Sequence, residues 1–216
     1  MPADSGKTRE RILDVAERLF ARHGFNGVSM RDLAAAAKVP LALVSYHFGP
    51  KHALYRALFA RRYAALTADR LRRLDEIGPR RARGAPVEAI IAAFLDPILE
   101  LRTSRGGGHF ATLIAREATD PEEAKRGIIA QYLDPTARVF LRALQEALPG
   151  APKSDVAWGY QFLIGAMVLI LADTGRLTRI SDGAARTDDV RTTRDSLVRY
   201  AAAGFRAIPR RQRSAA

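Results

Sequence analysis

Apolar residues recur at helical spacing along almost the whole chain. Near the N-terminus one helix face is formed by residues at positions i, i+3, i+4, i+7 and i+8, namely Ile12, Val15, Ala16, Leu19 and Phe20. Thr8 is a suitable N-cap and Gly24 a suitable stop, so a helix is expected over residues 8–23. The sequence shows no alternation typical of strands. The pattern predicts an all-α protein with about nine helices.

Two short helices are expected after the first one. The residues from Ser29 to Asp32 have the form of a capping box, which predicts a helix start at Ser29. The segment from Lys38 to Pro40 should end that helix, and another should run from Pro40 to about His47. The three helices together form a helix-turn-helix arrangement, in which the last helix can enter the major groove of DNA.

A long helix is expected from Lys51 to about Ile77, and residues 78–84 have the composition of a linker. Pro97 should kink or break its helix, whereas the polar residues 176–189 should be irregular. The other helices are predicted over residues 86–97, 110–118, 134–148, 154–175 and 190–208, and a further one is predicted to start at Asp120-Pro121. We expect a DNA-binding domain at residues 1–55 and a second helical domain at residues 56–216.

The charge is unevenly distributed along a chain of globular composition. The net charge is +12, and 48% of the residues are hydrophobic. Residues 1–83 hold 17 basic and 8 acidic side chains, whereas residues 84–216 hold 18 and 15. Such a surplus favours a nucleic acid or an anionic surface as the partner, and places its docking site in the N-terminal part. The basic tail at residues 210–213 is more typical of a disordered end than of a second site.

Several classes of protein are disfavoured by residue types that are missing. The chain has no cysteine, which excludes disulfides, thiolate metal sites and cysteine nucleophiles. The four histidines, at positions 23, 47, 52 and 109, make no metal-binding pair at helical spacing, and neither a nucleophile elbow nor a P-loop is found. We therefore expect no enzyme, no metal and no cofactor.

One uncharged segment has a length close to that of a membrane span. Residues 156–172 contain no charged side chain. We interpret this segment as a helix that is buried on all sides, in a core or a subunit interface, because Asp155 and Asp173 bound it and Gln161 interrupts it. The N-terminus is charged and has no apolar targeting region. A cytoplasmic protein without a membrane anchor is expected.

Two motifs carry a resemblance to a known family. The runs GFNGVSMRDLA at residues 24–34 and VSYHFGPKHAL at residues 44–54 resemble the DNA-binding domain of the TetR family of bacterial repressors. This resemblance implies phosphate contacts from Ser29, Arg31 and Lys51, contacts to the DNA backbone and groove from Tyr46 and His47, and base-facing positions at Leu41, Ala42, Leu43 and Ser45. It also implies a ligand-responsive, sequence-specific regulator, by default a repressor, that binds a double-stranded operator.

The sequence departs from the family pattern in the short helices. Lys38 stands where the family usually has glycine, Pro40 where it often has serine or threonine, and Leu41 where a polar residue is common. Direct readout of bases is therefore expected to use few hydrogen bonds, with contacts to thymine methyl groups and groove shape contributing more. Leu43 is alternatively a core residue, His47 is alternatively a packed ring without a polar role, and Ser29 is an N-cap with or without DNA.

The resemblance implies that the remainder of the chain binds a ligand and forms a homodimer. The helices at residues 154–175 and 190–208 would pair with their copies, and Gly159, Gly165, Ala166 and Ala172 would permit close approach. A two-fold dimer suits a palindromic operator. The alternative is a monomer that hides the apolar helix in its own core.

A mostly apolar effector pocket is expected among the helices of the second domain. Its candidate residues are Phe94, Ile98, Leu101, His109, Phe110, Leu113, Ile114, Arg116, Tyr132, Phe140, Phe162 and Met167. The run GGHFATLIARE at residues 107–117 resembles a TetR subgroup that includes fatty-acid-responsive repressors. This implies a small hydrophobic effector whose carboxylate is held by Arg116 or His109. Arg116 and Glu117 are alternatively ordinary surface charges, and the whole chain is alternatively a nonspecific DNA-binding protein.

Overall fold

The computed structural model describes residues 2–78, 86–104 and 106–208, with side chains from Ser5 onward. Most of the predicted linker, residues 79–84, and the basic tail at residues 210–213 lie outside the described residues. The described ranges contain eleven α-helices and no strand, which confirms the all-α class. The helices are α1 (Pro2–His23), α2 (Met30–Ala37), α3 (Leu41–Phe48), α4 (Lys51–Ile77), α5 (Val87–Thr103), α6 (Gly107–Thr119), α7 (Glu123–Arg126), α8 (Asp134–Ala147), α9 (Lys153–Ala172), α10 (Arg176–Ile180) and α11 (Val190–Arg206); a π-helical turn (Ile129–Leu133) precedes α8.

One helix, α10, was not predicted, and one predicted helix, α7, is very short. Helix α10 lies in the segment 176–189 that was expected to be irregular, and it has only five residues. The predicted start at Asp120-Pro121 leads to α7, which has only four residues because Gly127 ends it in the left-handed region. Asp120 itself ends α6, and its Oδ1 accepts a 2.8 Å hydrogen bond from the Glu122 amide.

Two predicted helix boundaries are wrong. Helix α1 begins at Pro2, so Thr8 lies inside it and is no N-cap. Helix α5 continues through Pro97 to Thr103. Pro97 is buried among the apolar residues of α5. Proline cannot donate a backbone hydrogen bond in the helix, and the packing of this apolar face offsets that loss.

The short helix α2 is defined at both ends as its sequence predicts. The Ser29 amide donates to Asp32 Oδ2 at 2.8 Å, and the Asp32 amide donates to Ser29 Oγ at 3.2 Å, which completes the capping box. Lys38 ends the helix with φ of +53°, in the left-handed region that favours glycine. The family's preference for glycine at this position thus has a backbone reason, and lysine adopts the same conformation here.

A row of aromatic side chains in contact joins the N-terminal helices to the rest of the core. Ring centroids lie 4.9 Å apart for Phe20 and Tyr55, 5.1 Å for Tyr55 and Phe59, and 5.4 Å for Phe59 and Phe110. These buried rings run from α1 through α4 to α6. The predicted boundary at residue 55 falls inside the continuous helix α4, so the two predicted domains share a helix and a core.

A buried carboxylate locks α1 against α4. Glu17 is almost fully buried, and its Oε2 accepts from Arg61 Nη2 at 2.8 Å and from Arg62 Nε at 2.9 Å. A buried charge of this kind requires partners that offset its desolvation. The ion pairs therefore fix the direction of α4 relative to the three-helix unit, and they occupy two of the basic residues of the N-terminal region.

Helix α9 is buried on one side only. Val156, Leu163, Met167 and Leu171 face the core, whereas Trp158, Phe162 and Leu169 are more than 60% exposed. The alternative of a helix buried in the core of a single chain is therefore wrong, and burial in a subunit interface stays a prediction. Its length and hydropathy would suffice to cross a membrane, and among the described residues it alone meets that test. One such helix is weak evidence, because core and interface helices of soluble proteins meet it as well.

Candidate functional site

Helix α3 presents one face to the core and the other to solvent. Val44 and Phe48, four residues apart, are buried against α2 and α4. The exposed residues of the helix are Leu41, Ala42, Ser45 and Tyr46, all of which were predicted to contact DNA, and the Tyr46 side chain is 82% exposed. Leu41 and Tyr46 are the large hydrophobic side chains exposed on this helix. Leu43 is half-buried between the two faces.

His47 carries an unsatisfied polar atom near this surface. Its ring is half-buried beside Tyr46 and Phe48, with centroids 5.5 Å and 6.1 Å away. The buried Nε2 atom has no hydrogen-bond partner among the described residues. Buried polar atoms are nearly always paired in folded proteins. A ligand group that reaches this nitrogen would therefore satisfy it.

Of the two residues near the start of α2 that were predicted to contact phosphate, Ser29 is hydrogen-bonded within the chain and Arg31 is not. The Ser29 hydroxyl donates to Asp32 Oδ2 at 2.6 Å and also caps the helix. These hydrogen bonds from Ser29 lower the pKa of Asp32, which keeps the capping carboxylate charged. Arg31 is exposed and forms no ion pair with a described residue. Ser29 is thus an N-cap in the free protein, and Arg31 is the side chain that is free to meet a phosphate.

Lys51 lies at the N-terminus of α4, where it is held by the loop between α1 and α2. Its Nζ donates 3.0 Å hydrogen bonds to the carbonyls of Phe25 and Val28, and it stands 4.3 Å from the centroid of the Phe25 ring. Burial lowers its pKa. Since an ammonium has three donors, one remains for another acceptor. The lysine anchors the loop that leads into α2, in addition to any contact with DNA.

The basic surplus of the N-terminal region divides into paired and unpaired side chains. Arg61, Arg62, Arg72 and Arg73 are all held in ion pairs with acidic residues. The exposed side chains without an ion pair to a described residue include Arg18, Arg22, Arg31 and Lys38. The charge available to a polyanion is therefore smaller than the sequence total, and these four side chains lie on α1, in the first turn of α2 and at its C-cap.

A network of charged groups joins the DNA-binding unit to the second domain. The Tyr55 hydroxyl donates to Glu117 Oε2 at 2.8 Å, and Arg126 Nε donates to Glu117 Oε1 at 3.0 Å. Arg126 also forms an ion pair with Asp120, at 2.9 Å but without hydrogen-bond alignment, and its guanidinium lies 5.3 Å from the Phe25 ring. Glu117 is buried, so it is a junction residue, and its alternative interpretation as a surface charge is wrong.

A cavity of about 280 Å³ lies among α4, α5, α6, α8 and α9. Its lining residues are Tyr63, Arg70, Phe94, Ile114, Ala118, Asp120, Glu123, Ile129, Leu133, Asp134, Ala137, Tyr160, Gln161, Ile164, Met167 and Val168. This is the part of the chain where an effector pocket was predicted. Nine of the sixteen lining residues are apolar and seven are polar or charged, so its walls are more polar than the mostly apolar pocket that was expected.

Only some of the predicted ligand residues line this cavity. Phe94, Ile114 and Met167 do so. The predicted residues that are buried elsewhere in the core are Ile98, Phe110, Leu113 and Phe140, and those that are half-buried outside the lining are Leu101 and Tyr132. His109, Arg116 and Phe162 are exposed. Arg116 Nη2 donates to the Arg22 carbonyl at 3.1 Å, so it contacts the end of α1 and lies away from the cavity.

Sequence reasoning missed the polar lining of this cavity. Arg70 follows Tyr63 and Leu66 on the inner face of α4, at i+7 and i+4, and Leu74 continues the same face. An arginine at a position of the apolar stripe was the available signal. Tyr160 and Asp134 lie on other helices, and the sequence contains no pattern that relates them to Arg70.

The exposed side of α9 forms a groove with α11. The groove has a volume of about 540 Å³, and the Trp158 and Phe162 rings stack beside it at 5.8 Å. A Cβ atom on Gly159 would come within 2.6 Å of the Phe205 ring, so this glycine permits α9 and α11 to pack closely within one chain. At Gly165 nothing lies within 4 Å, so that position stays open to another molecule.

Comparison with known proteins assigns both parts of the chain. Residues 12–58 match the model of bacterial regulatory proteins of the tetR family, and residues 92–204 match a tetracyclin repressor-like C-terminal domain. The transcriptional regulatory protein RaaS of Mycobacterium tuberculosis is 31% identical over 144 residues, covering 62% of this chain and 65% of that protein. The transcriptional repressor AcnR of Corynebacterium efficiens is 40% identical over 62 residues, covering 29% of this chain and 32% of that protein.

The fold comparison agrees with the two domain matches. The structure of HlyIIR, a hemolysin II transcriptional regulator, superposes with a TM-score of 0.61 at 20% identity, covering 90% of this chain and 98% of that chain. The chain spans no more than about two thirds of the length of the two curated relatives. The two domain matches together account for most of the sequence, and the chain belongs to the TetR family of bacterial regulatory proteins.

Proposed function

We propose that this protein is a sequence-specific, DNA-binding transcriptional regulator, by default a repressor, whose affinity for its operator changes when a small effector binds. The observation that carries the proposal is the free face of α3, where Leu41, Ala42, Ser45 and Tyr46 are exposed in a helix otherwise anchored by Val44 and Phe48. Such a helix is presented for insertion into the major groove. A regulator of this kind works on chromosomal DNA in the bacterial cytoplasm.

The proposed DNA contacts divide into positioning and reading. Arg31 and the amides at the start of α2 meet one phosphate, while the third Nζ donor of Lys51 and the unsatisfied Nε2 of His47 donate to others. Leu41, Ala42 and Leu43 face the bases and favour thymine methyl groups, whereas Ser45 supplies a hydrogen bond. Because Ser29 already caps α2, its part in DNA binding is to orient Arg31.

We infer that α9 and α11 form the subunit interface of a homodimer. On α9 the exposed residues Trp158, Phe162, Gly165 and Leu169 repeat at i, i+4, i+7 and i+11, which is a single apolar stripe. On α11 the exposed Tyr200 lies beside the same groove. A contiguous apolar surface of this kind favours a protein partner over solvent. A two-fold dimer would present two copies of α3 to a palindromic operator.

The junction network supports the proposed link between effector and DNA. Asp120 and Glu123 line the cavity, Asp120 pairs with Arg126, and Arg126 stacks on Phe25, whose carbonyl accepts from Lys51. A ligand that shifts Asp120 or Glu123 therefore acts on the loop that holds the DNA-binding unit. Coupling between two such sites is typically about 1–3 kcal/mol, or roughly 5- to 150-fold in operator affinity.

Footprinting of genomic DNA tests the proposal. We expect a discrete protected site with two-fold symmetry, which Tyr46→Ala abolishes while the protein remains folded. The basic surface of α1 and α2 also fits a nonspecific DNA-binding protein, for which coverage would be uniform and insensitive to Tyr46. Uniform coverage would therefore contradict the sequence-specific function.

A further inference from the structure

Arg70 is a buried cation without a counter-ion. Its side chain is 3% exposed on the inner face of α4. Nε donates to the Phe94 carbonyl at 2.9 Å, Nη1 donates to the Tyr63 hydroxyl at 3.3 Å, and the guanidinium lies 4.1 Å from the centroid of the Phe94 ring. No carboxylate of a described residue forms an ion pair with it. All of its observed partners are neutral, and a guanidinium stays charged even where burial lowers its pKa.

The acidic groups around the cavity are engaged elsewhere. Asp120 pairs with Arg126, and Glu123 Oε1 accepts from the Ile129 amide at 3.0 Å. Asp134 lies 3.5 Å from Arg138 at the surface. The other titratable groups that act on Arg70 are the phenols of Tyr63 and Tyr160, and burial raises the pKa of Tyr160 so that it stays neutral. These groups therefore do not compensate the positive charge of Arg70 within the described chain. A buried charge without an opposite one is costly.

The open space beside Arg70 is small, and apolar and polar side chains share its walls. Arg70 lines the cavity of about 280 Å³ together with Phe94, Ile164, Met167 and Val168. This volume lies at the lower limit of the roughly 300–1,000 Å³ typical of ligand pockets. It accommodates a compact molecule and is too small for a long acyl chain. A single guanidinium among three carboxylates that line the same space favours a monoanion over a phosphate dianion.

We propose that this cavity binds a small organic monocarboxylate, whose carboxylate pairs with Arg70 and whose apolar body packs against Phe94 and Met167. The inference rests on the proposed function in so far as this ligand is the effector. It replaces the sequence hypothesis that Arg116 or His109 holds the carboxylate, because both side chains are exposed and lie outside the cavity lining.

Paired probes that differ in charge test the proposal. Benzoate and hexanoate are compared with benzamide and hexanamide by thermal unfolding and by titration calorimetry of the full chain. We expect the carboxylates to raise the Tm of the wild-type protein more than the amides do. Arg70→Met should weaken carboxylate binding by about tenfold or more, because it removes a charge-assisted hydrogen-bond pair. Arg142→Met, at an exposed arginine of α8, is the matched control and should bind as the wild type does.

The unliganded variants provide a second readout. Arg70→Met removes an uncompensated buried charge, so its Tm without ligand should equal or exceed that of the wild type, whereas a purely structural arginine would lower it. If Arg70→Met does not fold, Tyr63→Phe is the second variant: it keeps the ring but removes the hydroxyl that positions Nη1, and it should weaken carboxylate binding several-fold. The proposal is wrong if amides and carboxylates act alike, or if Arg116→Met loses the response while Arg70→Met keeps it.

Footprinting separates this inference from the proposed function. Arg70→Met should protect the same operator as the wild type and should lose only its sensitivity to carboxylate. A wild-type protein that binds carboxylate at Arg70 but protects no discrete site would contradict the regulator and leave the binding site standing. A protein that protects an operator but does not distinguish carboxylate from amide would contradict the inference alone.

Discussion

The hydroxyl of Tyr55 donates a 2.8 Å hydrogen bond to Glu117, which lies 62 residues further along the chain. Both side chains are buried, and Arg126 completes the group at 3.0 Å from the same carboxylate. Burial and the negative charge of Glu117 raise the pKa of Tyr55, so the phenol remains a donor at physiological pH. This contact joins the helix that follows the DNA-binding unit to the helix that borders the cavity.

Removing this hydrogen bond should destabilise the protein. Tyr55→Phe leaves the buried Glu117 carboxylate with one donor fewer, and we expect the free energy of unfolding to fall by about 1–3 kcal/mol in urea. Tyr132→Phe is the control, since its hydroxyl makes only a 3.4 Å contact to the Arg56 carbonyl, and it should cost less than about 0.5 kcal/mol. Equal effects of the two changes would contradict the assigned role of Tyr55.

Lys51 should affect DNA binding without affecting base preference. Lys51→Ala removes a phosphate donor and frees the Phe25 and Val28 carbonyls, so the loop that leads into α2 loses its anchor. We expect similar losses of affinity for operator and random DNA in mobility-shift titrations, together with a lower Tm. Lys125→Ala, at an exposed position of α7, should change neither quantity. A changed base preference in Lys51→Ala would contradict the phosphate assignment.

The exposed stripe of α9 should be needed for dimerisation but not for folding. Phe162 is 65% exposed in the single chain, so Phe162→Glu should leave the fold intact. A carboxylate at the centre of an apolar interface should cost at least about 2 kcal/mol of dimerisation free energy, measured by sedimentation equilibrium. Tyr46→Ala, which removes an exposed ring on α3, should remain dimeric and lose DNA binding. A dimer that survives Phe162→Glu would place the interface elsewhere.

Gly159 should tolerate no side chain. A Cβ atom at this position would lie 2.6 Å from the Phe205 ring, so Gly159→Ala should separate α9 from α11 and lower the free energy of unfolding by about 1–3 kcal/mol. Gly6→Ala in α1, where nothing lies within 4 Å, should be neutral or raise it by up to about 1 kcal/mol. Chemical denaturation of both variants checks the difference. A neutral Gly159→Ala would show that the two helices are less closely packed.

Local sequence signals predicted the DNA-binding unit well. The capping box at Ser29 and the apolar face of α1 act over one or two helical turns, and the structure reproduces both. The same reasoning was wrong about Thr8 as an N-cap, and the break considered at Pro97 does not occur, because packing and neighbouring residues override local preferences. It left two alternatives for α9, a core and a subunit interface, because composition cannot tell a helix buried within one chain from one covered by a partner; the exposed side of α9 removes the first alternative, and the second stays a prediction.

By itself the sequence determined the all-α class, the helix-turn-helix unit and its family, because helical periodicity, caps and turn residues act between near neighbours in the chain. Only the tertiary structure decided which polar groups meet in the core. It placed Arg70, which has no counter-ion among the described residues, in the wall of a cavity. It also placed Glu117 between Tyr55 and Arg126, and it left Arg116 at the surface. Burial and charge compensation depend on helices far apart in sequence, so they arise only when the chain has packed.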